Sequence, residues 1–168
     1  CESYIEANSG EWVKPYSFIQ AVAIKTEGHP LYMNYLCRDI AETFDENTDE
    51  SDLNKWLDAL PTIGGNIRAY YEAIWRKVYV NKELCQILAV LSQVRGAVTE
   101  AQLIEMLKGI SPFEFVASVV GFRHLLKDRG CDTYEIYHSS FRLYIVEKLK
   151  PVISYANDLI ADFCAVHY

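Results

Sequence analysis

The segment Thr26-Glu27-Gly28-His29-Pro30-Leu31-Tyr32 constrains this chain more than any other stretch. A glycine and a proline two residues apart stand between two helical patterns. Gly28 takes φ > 0 at little cost and can end one helix, while Pro30 has φ pre-set to start the next. The spacing therefore predicts a rigid elbow. A second punctuated segment is Tyr134-Glu135-Ile136-Tyr137-His138-Ser139-Ser140-Phe141. Its alternation predicts a short strand that delivers a histidine to the start of a helix.

Helical spacing surrounds the elbow. Residues 16–26 place Phe18, Ile19, Val22 and Ala23 on one face, and after Pro30 the stripe Met33, Leu36, Cys37, Ile40, Phe44 follows. Residues 52–60 predict a short helix stopped by Pro61. Ile67, Tyr70, Tyr71, Ile74, Trp75 and Val78 then form the cleanest stripe, so the tyrosines and Trp75 read as core. Together these helices predict a small bundle. Residues 82–94 give another helix, burying Leu84, Ile87, Leu88, Leu91 and Val94. Thr99-x-x-Gln102 and Ser111-Pro112-x-Glu114 are capping boxes that start two more. The first carries Leu103, Ile104 and Leu107 and ends at Gly109. The second carries Val116, Val119 and Val120 towards Leu126. Leu125-Leu126, a turn at Asp128-Arg129-Gly130 and the strand at residues 134–136 predict a β-hairpin. Three helices plus a hairpin make a winged helix. Helices at 140–149 and from Pro151 onward complete the chain. The expected fold is mainly α: a helical bundle over 1–79, a winged-helix domain over 80–150, and a linker helix over 151–168.

Composition narrows the function classes. Of 168 residues 51% are hydrophobic and 23% charged, as in a well-packed domain rather than a disordered one. A net charge of −7 offers no field for nucleic acid or an anionic membrane. The acidic run Asp45, Glu46, Asp49, Glu50, Asp52 lacks metal-loop spacing and reads as a solvated loop. Five dispersed cysteines without C-x-x-C point to a reduced, cytoplasmic setting; Cys37, Cys85 and Cys164 lie in helical patterns, where they would serve as small hydrophobes. No apolar run reaches membrane-spanning length. The chain opens on Cys1, already inside a helical pattern, and reads as part of a longer protein.

No phosphate loop is present, and Gly64-Gly65 stands alone before Asn66. H-E-x-x-H, G-x-S-x-G and cysteine–histidine metal patterns are absent as well, so no self-sufficient active site is expected. DNA readers of this architecture carry basic or amide residues at the start of the recognition helix. Here that end reads Ser111-Pro112-Phe113-Glu114-Phe115-Val116, apolar and acidic, with Arg123, His124 and Lys127 at the far end. Nucleic-acid binding is not expected.

The order of parts (helical lid, G-x-P elbow, winged helix, histidine closing the wing strand) resembles the STAND class of AAA-related ATPases, which includes NACHT and NB-ARC proteins. Gly28-His29-Pro30-Leu31-Tyr32 matches the lid elbow, Tyr137-His138-Ser139-Ser140-Phe141 matches the winged-helix histidine, and Tyr70-Tyr71-Glu72-Ala73-Ile74-Trp75 is similar to the last lid helix of prokaryotic members. The resemblance implies that Gly28 shapes the elbow, Pro30 packs on the adenine of ATP or ADP, and His138 contacts the β-phosphate of ADP. It further implies an N-terminal ATPase domain supplying the phosphate loop and magnesium, a C-terminal sensor domain, and homo-oligomerisation on activation, as in a prokaryotic antiviral defence sensor. The isolated segment would be neither an enzyme nor a nucleotide binder by itself. Many relatives carry aspartate after the histidine; here Ser139 stands there. Two plainer readings remain open: Gly28 and Pro30 as a helix stop and start, and His138 as a core or capping histidine at a strand-to-helix corner. A winged-helix DNA-binding or protein-interaction module without nucleotide dependence is the alternative function.

Overall fold

A computed structural model describes residues 2–8, 14–128 and 132–167. The chain is mainly helical with one small antiparallel sheet. It divides into two compact units, Cys1–Trp75 and Arg76–Tyr168.

The first unit holds α1 (Glu2–Asn8), α2 (Tyr16–Lys25), α3 (Pro30–Thr43), α4 (Glu50–Ala59) and most of α5 (Arg68–Val78). Phe18, Ile19 and Val22 of α2 are buried, as are Met33, Leu36, Cys37 and Ile40 of α3. Ala23 and Phe44 are only half-buried, and the Phe44 ring stands edge-on to Trp56 at 5.4 Å between centroids. Helix α3 buries a wider arc than its stripe implies, because Tyr32 and Tyr35 are also sealed. They meet Tyr70 of α5, with centroids 4.7 Å and 5.7 Å away, and Tyr35 reaches Tyr71 at 6.1 Å. Offset and edge contacts of this kind add to the burial of large rings. Tyr70 and Tyr71 are core, as their spacing predicts, whereas Trp75 is half-buried.

The acidic run is not all loop. Helix α4 begins at Glu50, two residues before the expected start, with Asp49 at its N-cap and Glu50 and Asp52 in its first turn. Carboxylates favour that end because the helix dipole is positive there. The chain leaves α4 through Leu60 in extended backbone, as the residue before a proline requires.

The second unit is built around α6 (Lys82–Gln93), which touches every layer near it: α7 (Glu100–Leu107), α8 (Pro112–Val119), α9 (Ser139–Lys148), α10 (Ile153–His167) and strand β3 (Thr133–Ile136). Leu84, Ile87, Leu88 and Leu91 are buried, and so are Ala89, Val90 and Ser92, as befits a helix surrounded by neighbours. Val94 caps the helix in extended backbone, half-buried, and its carbonyl accepts from the Arg142 guanidinium of α9. That places a cation at the negative end of the α6 dipole. Helix α10 packs on α6 and α7.

Both capping boxes form. Thr99 Oγ1 accepts from the Gln102 amide at 3.2 Å while Gln102 Oε1 accepts from the Thr99 amide at 3.0 Å. Ser111 Oγ accepts from Glu114 N at 3.3 Å, and the Glu114 carboxylate accepts from Ser111 N at 2.8 Å and Ser111 Oγ at 2.7 Å. Helix α7 buries Leu103, Met106 and Leu107, with Lys108 left-handed at its end. Helix α8 stops at Val119 and tightens into a 3-10 segment, Val120–Leu125, rather than running to Leu126.

Strand β2 (Leu126–Asp128) pairs with β3 in the order Leu126 to Ile136, Lys127 to Glu135, Asp128 to Tyr134. The expected turn residues Arg129 and Gly130 lie outside the described residues. A third strand, β1 (Val98–Thr99), joins the other edge of β3, giving the order β1-β3-β2. Two residues are too few to show a period, so this strand has no sequence signal. Helix α9 starts at Ser139, and Lys150–Val152 is a 3-10 turn ahead of α10.

Two outcomes are expected. Leu91 is fully buried on the central helix, so Leu91→Ala should cost about 2–5 kcal/mol by chemical denaturation of the second unit. Hydrogen bonds from the Ser111 amide and hydroxyl hold the Glu114 carboxyl below its ordinary value of 4.5. Its stabilising contribution is then present above the unfolded-state value and fades as pH falls through the lowered folded-state value. The melting temperature of wild type minus Glu114→Gln should shrink on acidification; a pH-independent difference would show that the charge contributes nothing.

Candidate functional site

The elbow is built from the end of α2. Thr26 caps the helix, its amide donating to the Val22 carbonyl at 3.0 Å and its hydroxyl to the Ala23 carbonyl at 3.1 Å. The next two residues are both left-handed, Glu27 at φ 51° and Gly28 at φ 68°. His29 N donates back to Thr26 O at 2.8 Å, closing a tight turn. Two positive φ values around such a bond are the signature of a type I′ turn. Gly28 accepts this freely, whereas Glu27 does so against the clash of its Cβ.

The Glu27 side chain offsets that cost. Its two carboxylate oxygens accept from Gly64 N and Gly65 N, each at 3.0 Å. Gly64 and Gly65 are themselves at φ 53° and 73°, and Asn66 N donates to Ile63 O at 2.8 Å. One doubly left-handed turn therefore holds another through a bidentate carboxylate. Tyr32 adds a second tie, its hydroxyl donating to the Pro61 carbonyl at 2.8 Å. Burial, with Glu27 as a smaller contributor, pushes the Tyr32 hydroxyl pKa well above its ordinary value. Between these ties His29 caps α3, its Nδ1 accepting from Tyr32 N at 3.3 Å, and Pro30 occupies the first helical position, exposed. Pro30 does act as a helix start, whereas α2 already ends at Lys25 with Thr26 as its cap, and Glu27 rather than Gly28 takes the first left-handed position after it.

His138 stands in the second unit. After β3, Tyr137 N donates to Leu125 O at 2.9 Å and continues the hairpin. His138 then takes extended backbone as the N-cap of α9. Its Nδ1 accepts from Ser140 N at 3.2 Å and lies 2.9 Å from Ser140 Oγ. A backbone N–H can only donate, so Nδ1 presents its lone pair and the neutral ring carries its proton on Nε2. The ring is exposed rather than core. A capping histidine and a donor histidine are thus compatible here: one nitrogen closes the helix and the other remains an N–H donor beside a helix N-terminus, where oxyanions are favoured.

Other candidate groups are accounted for locally. His124 is buried, and His167 Nε2 lies 2.7 Å from Glu105 Oε1. Burial, opposed by Lys14, pushes the Cys37 thiol up to about 11, and burial with Glu83 raises Cys85, so neither is a poised thiolate. Cys164 is exposed and does not serve as a buried hydrophobe; Cys1 and Cys131 lie outside the described residues. In the acidic run, Asp45 Oδ1 accepts from Asn47 N at 2.9 Å, Glu50 accepts from Ser17 Oγ at 2.8 Å, and Asp52 pairs with Lys55 at 2.9 Å. Among the described residues no group of three or more His, Cys, Asp or Glu is arranged to hold a metal ion.

The Glu27 contact has no local sequence signal, whereas Gly64-Gly65, too isolated for a phosphate loop, carries the type I′ turn signal of a Gly-Gly pair between Ile63 and Asn66. Family models, curated proteins and solved structures include no match to this chain.

The two duties of His138 separate by substitution. His138→Ala should cost about 1 kcal/mol through loss of the cap, whereas His138→Ser, which can cap, should hold stability close to wild type. Nitrogen-15 shifts should place the neutral-ring proton on Nε2. A proton found on Nδ1 would remove both the cap and the outward donor.

Proposed function

We propose that this chain is the helical lid and winged-helix portion of a STAND-type ATPase switch, a prokaryotic antiviral defence sensor being the best-fitting setting. The observation that carries the proposal is the state of His138: exposed, tied through Nδ1, and left with an Nε2–H donor at the mouth of α9. An exposed Pro30 on a doubly tied elbow supports it. Proline offers an apolar face with no donor to desolvate, and imidazole offers one N–H to an anionic oxygen.

In this reading the nucleotide supplies an adenine face and an anionic diphosphate, and an ATPase domain outside this sequence supplies the phosphate loop and magnesium. Pro30 and His138 make their contacts in the closed state only. Their differential affinity then holds the closed state, and a trigger acting on a C-terminal sensor favours an open, oligomerising form. The test uses the full-length protein. His138→Ser, with its helix cap kept, should release ADP faster and raise basal activity; unchanged ADP retention with unchanged basal activity would count against the latch.

A second reading, a protein-interaction module, draws on α8 and the 3-10 residue that follows it. Phe113 is 82% exposed, and Val116 and Val120 follow on the same face at 40% and 58%. Spacing of i, i+3, i+7 is how a helix presents apolar anchors to a protein groove, and such a face is unsuited to phosphates. Nucleotide-independent activity of the full-length protein would favour this reading.

A further inference from the structure

The Gly64–Gly65 turn has the build of a receptor. Two successive backbone N–H groups at positive φ converge on one side, an arrangement that makes an anion-binding concavity. Its occupant is already visible: both Glu27 carboxylate oxygens sit on these amides at 3.0 Å. The geometry is bidentate, two oxygens of one oxyanion meeting two consecutive amides, which is a charge-assisted and directional contact. Nothing lies within 4 Å of where a Cβ would stand on either glycine, so no neighbouring group crowds the turn from that side. Glu27, Gly64 and Gly65 are all exposed. The occupant is also unusual, since Glu27 is a non-glycine residue held left-handed. Such backbone persists only where its surroundings over-determine it, and the carboxylate clamp is the contact that does so here.

We propose that the Gly64–Gly65 turn is an oxyanion receptor and that Glu27 is its resident, displaceable occupant, forming a latch that pins the elbow ahead of Pro30. The ligand class is a small anion presenting two oxygens, a carboxylate or a phosphoryl group. With Glu27 in place the Thr26–His29 turn is tied to the Ile63–Asn66 turn. With an external oxyanion in place Glu27 is released and the elbow loses its link to the Ile63–Asn66 turn, while the Tyr32–Pro61 tie remains. The inference needs no nucleotide reading of the chain and stands or falls separately from it.

The chain has eight glycines, so selective nitrogen-15 glycine labelling yields few amide signals to assign. The full 168-residue chain is titrated with inorganic phosphate, and separately with acetate, at constant ionic strength. In Glu27→Ala the Gly64 and Gly65 amides should shift saturably while the other glycines stay put. Wild type should need about tenfold more anion for the same shift, because a tethered carboxylate competes at high effective concentration. Glu27→Gln, which preserves side-chain shape should Glu27→Ala fold poorly, should fall between them. Phosphate and acetate arms distinguish the two ligand sources. Absence of a saturable shift at Gly64 and Gly65 in both variants, identical midpoints in wild type and variants, or an equal drift of all glycine signals would each overturn the receptor.

Discussion

An eight-residue helix leaves four N–H and four C=O groups without intrahelical partners, so closing the ends matters as much as building the middle. Helices α7 and α8 are that short, and the ten helices of the described residues run from seven to fifteen. The architecture depends on how those ends are satisfied. Asn81, Thr99 and Ser111 close three N-termini with side-chain oxygens. His29 and His138 close two more with imidazole Nδ1. Arg142 closes the far end of α6. Capping also fixes side-chain orientation, and Pro30 and His138 both stand at such helix starts.

Within the first unit the same requirement produces the elbow. A helix must end, turn and restart within four residues, and two left-handed residues followed by a proline accomplish it. The turn is not self-sufficient, because Glu27 is strained there. Its stability is borrowed from a distant loop through one carboxylate and from α3 through one tyrosine hydroxyl. Pro30 is therefore an exposed residue with a well-defined position, a combination that suits a contact surface.

In the second unit, the central position of α6 lets short helices and very short strands cohere. Helices α7, α8, α9 and α10 and strand β3 all pack on it, and β3 is paired on both sides. The outer face of α8, continued by the first residue of the 3-10 segment, leaves Phe113, Val116 and Val120 in solvent.

The sequence by itself determined most helix ends and the cores of helix faces: Pro30, both capping boxes, Pro61, and the stripes of α2, α3, α5 and α6 are local signals carried by φ preference, side-chain oxygen and 3.6-residue spacing, and Gly28 marked the elbow although Glu27 takes the first left-handed position in it. It also placed His138 at a strand-to-helix corner. Tertiary structure alone decided which α3 tyrosines meet α5, where two residues become a third strand, and that Glu27 would find Gly64 and Gly65 37 and 38 positions away. The physical reason is range. Propensity and periodicity act over a few residues, whereas a carboxylate's choice of amides and a ring's choice of ring depend on chain segments brought together only by packing.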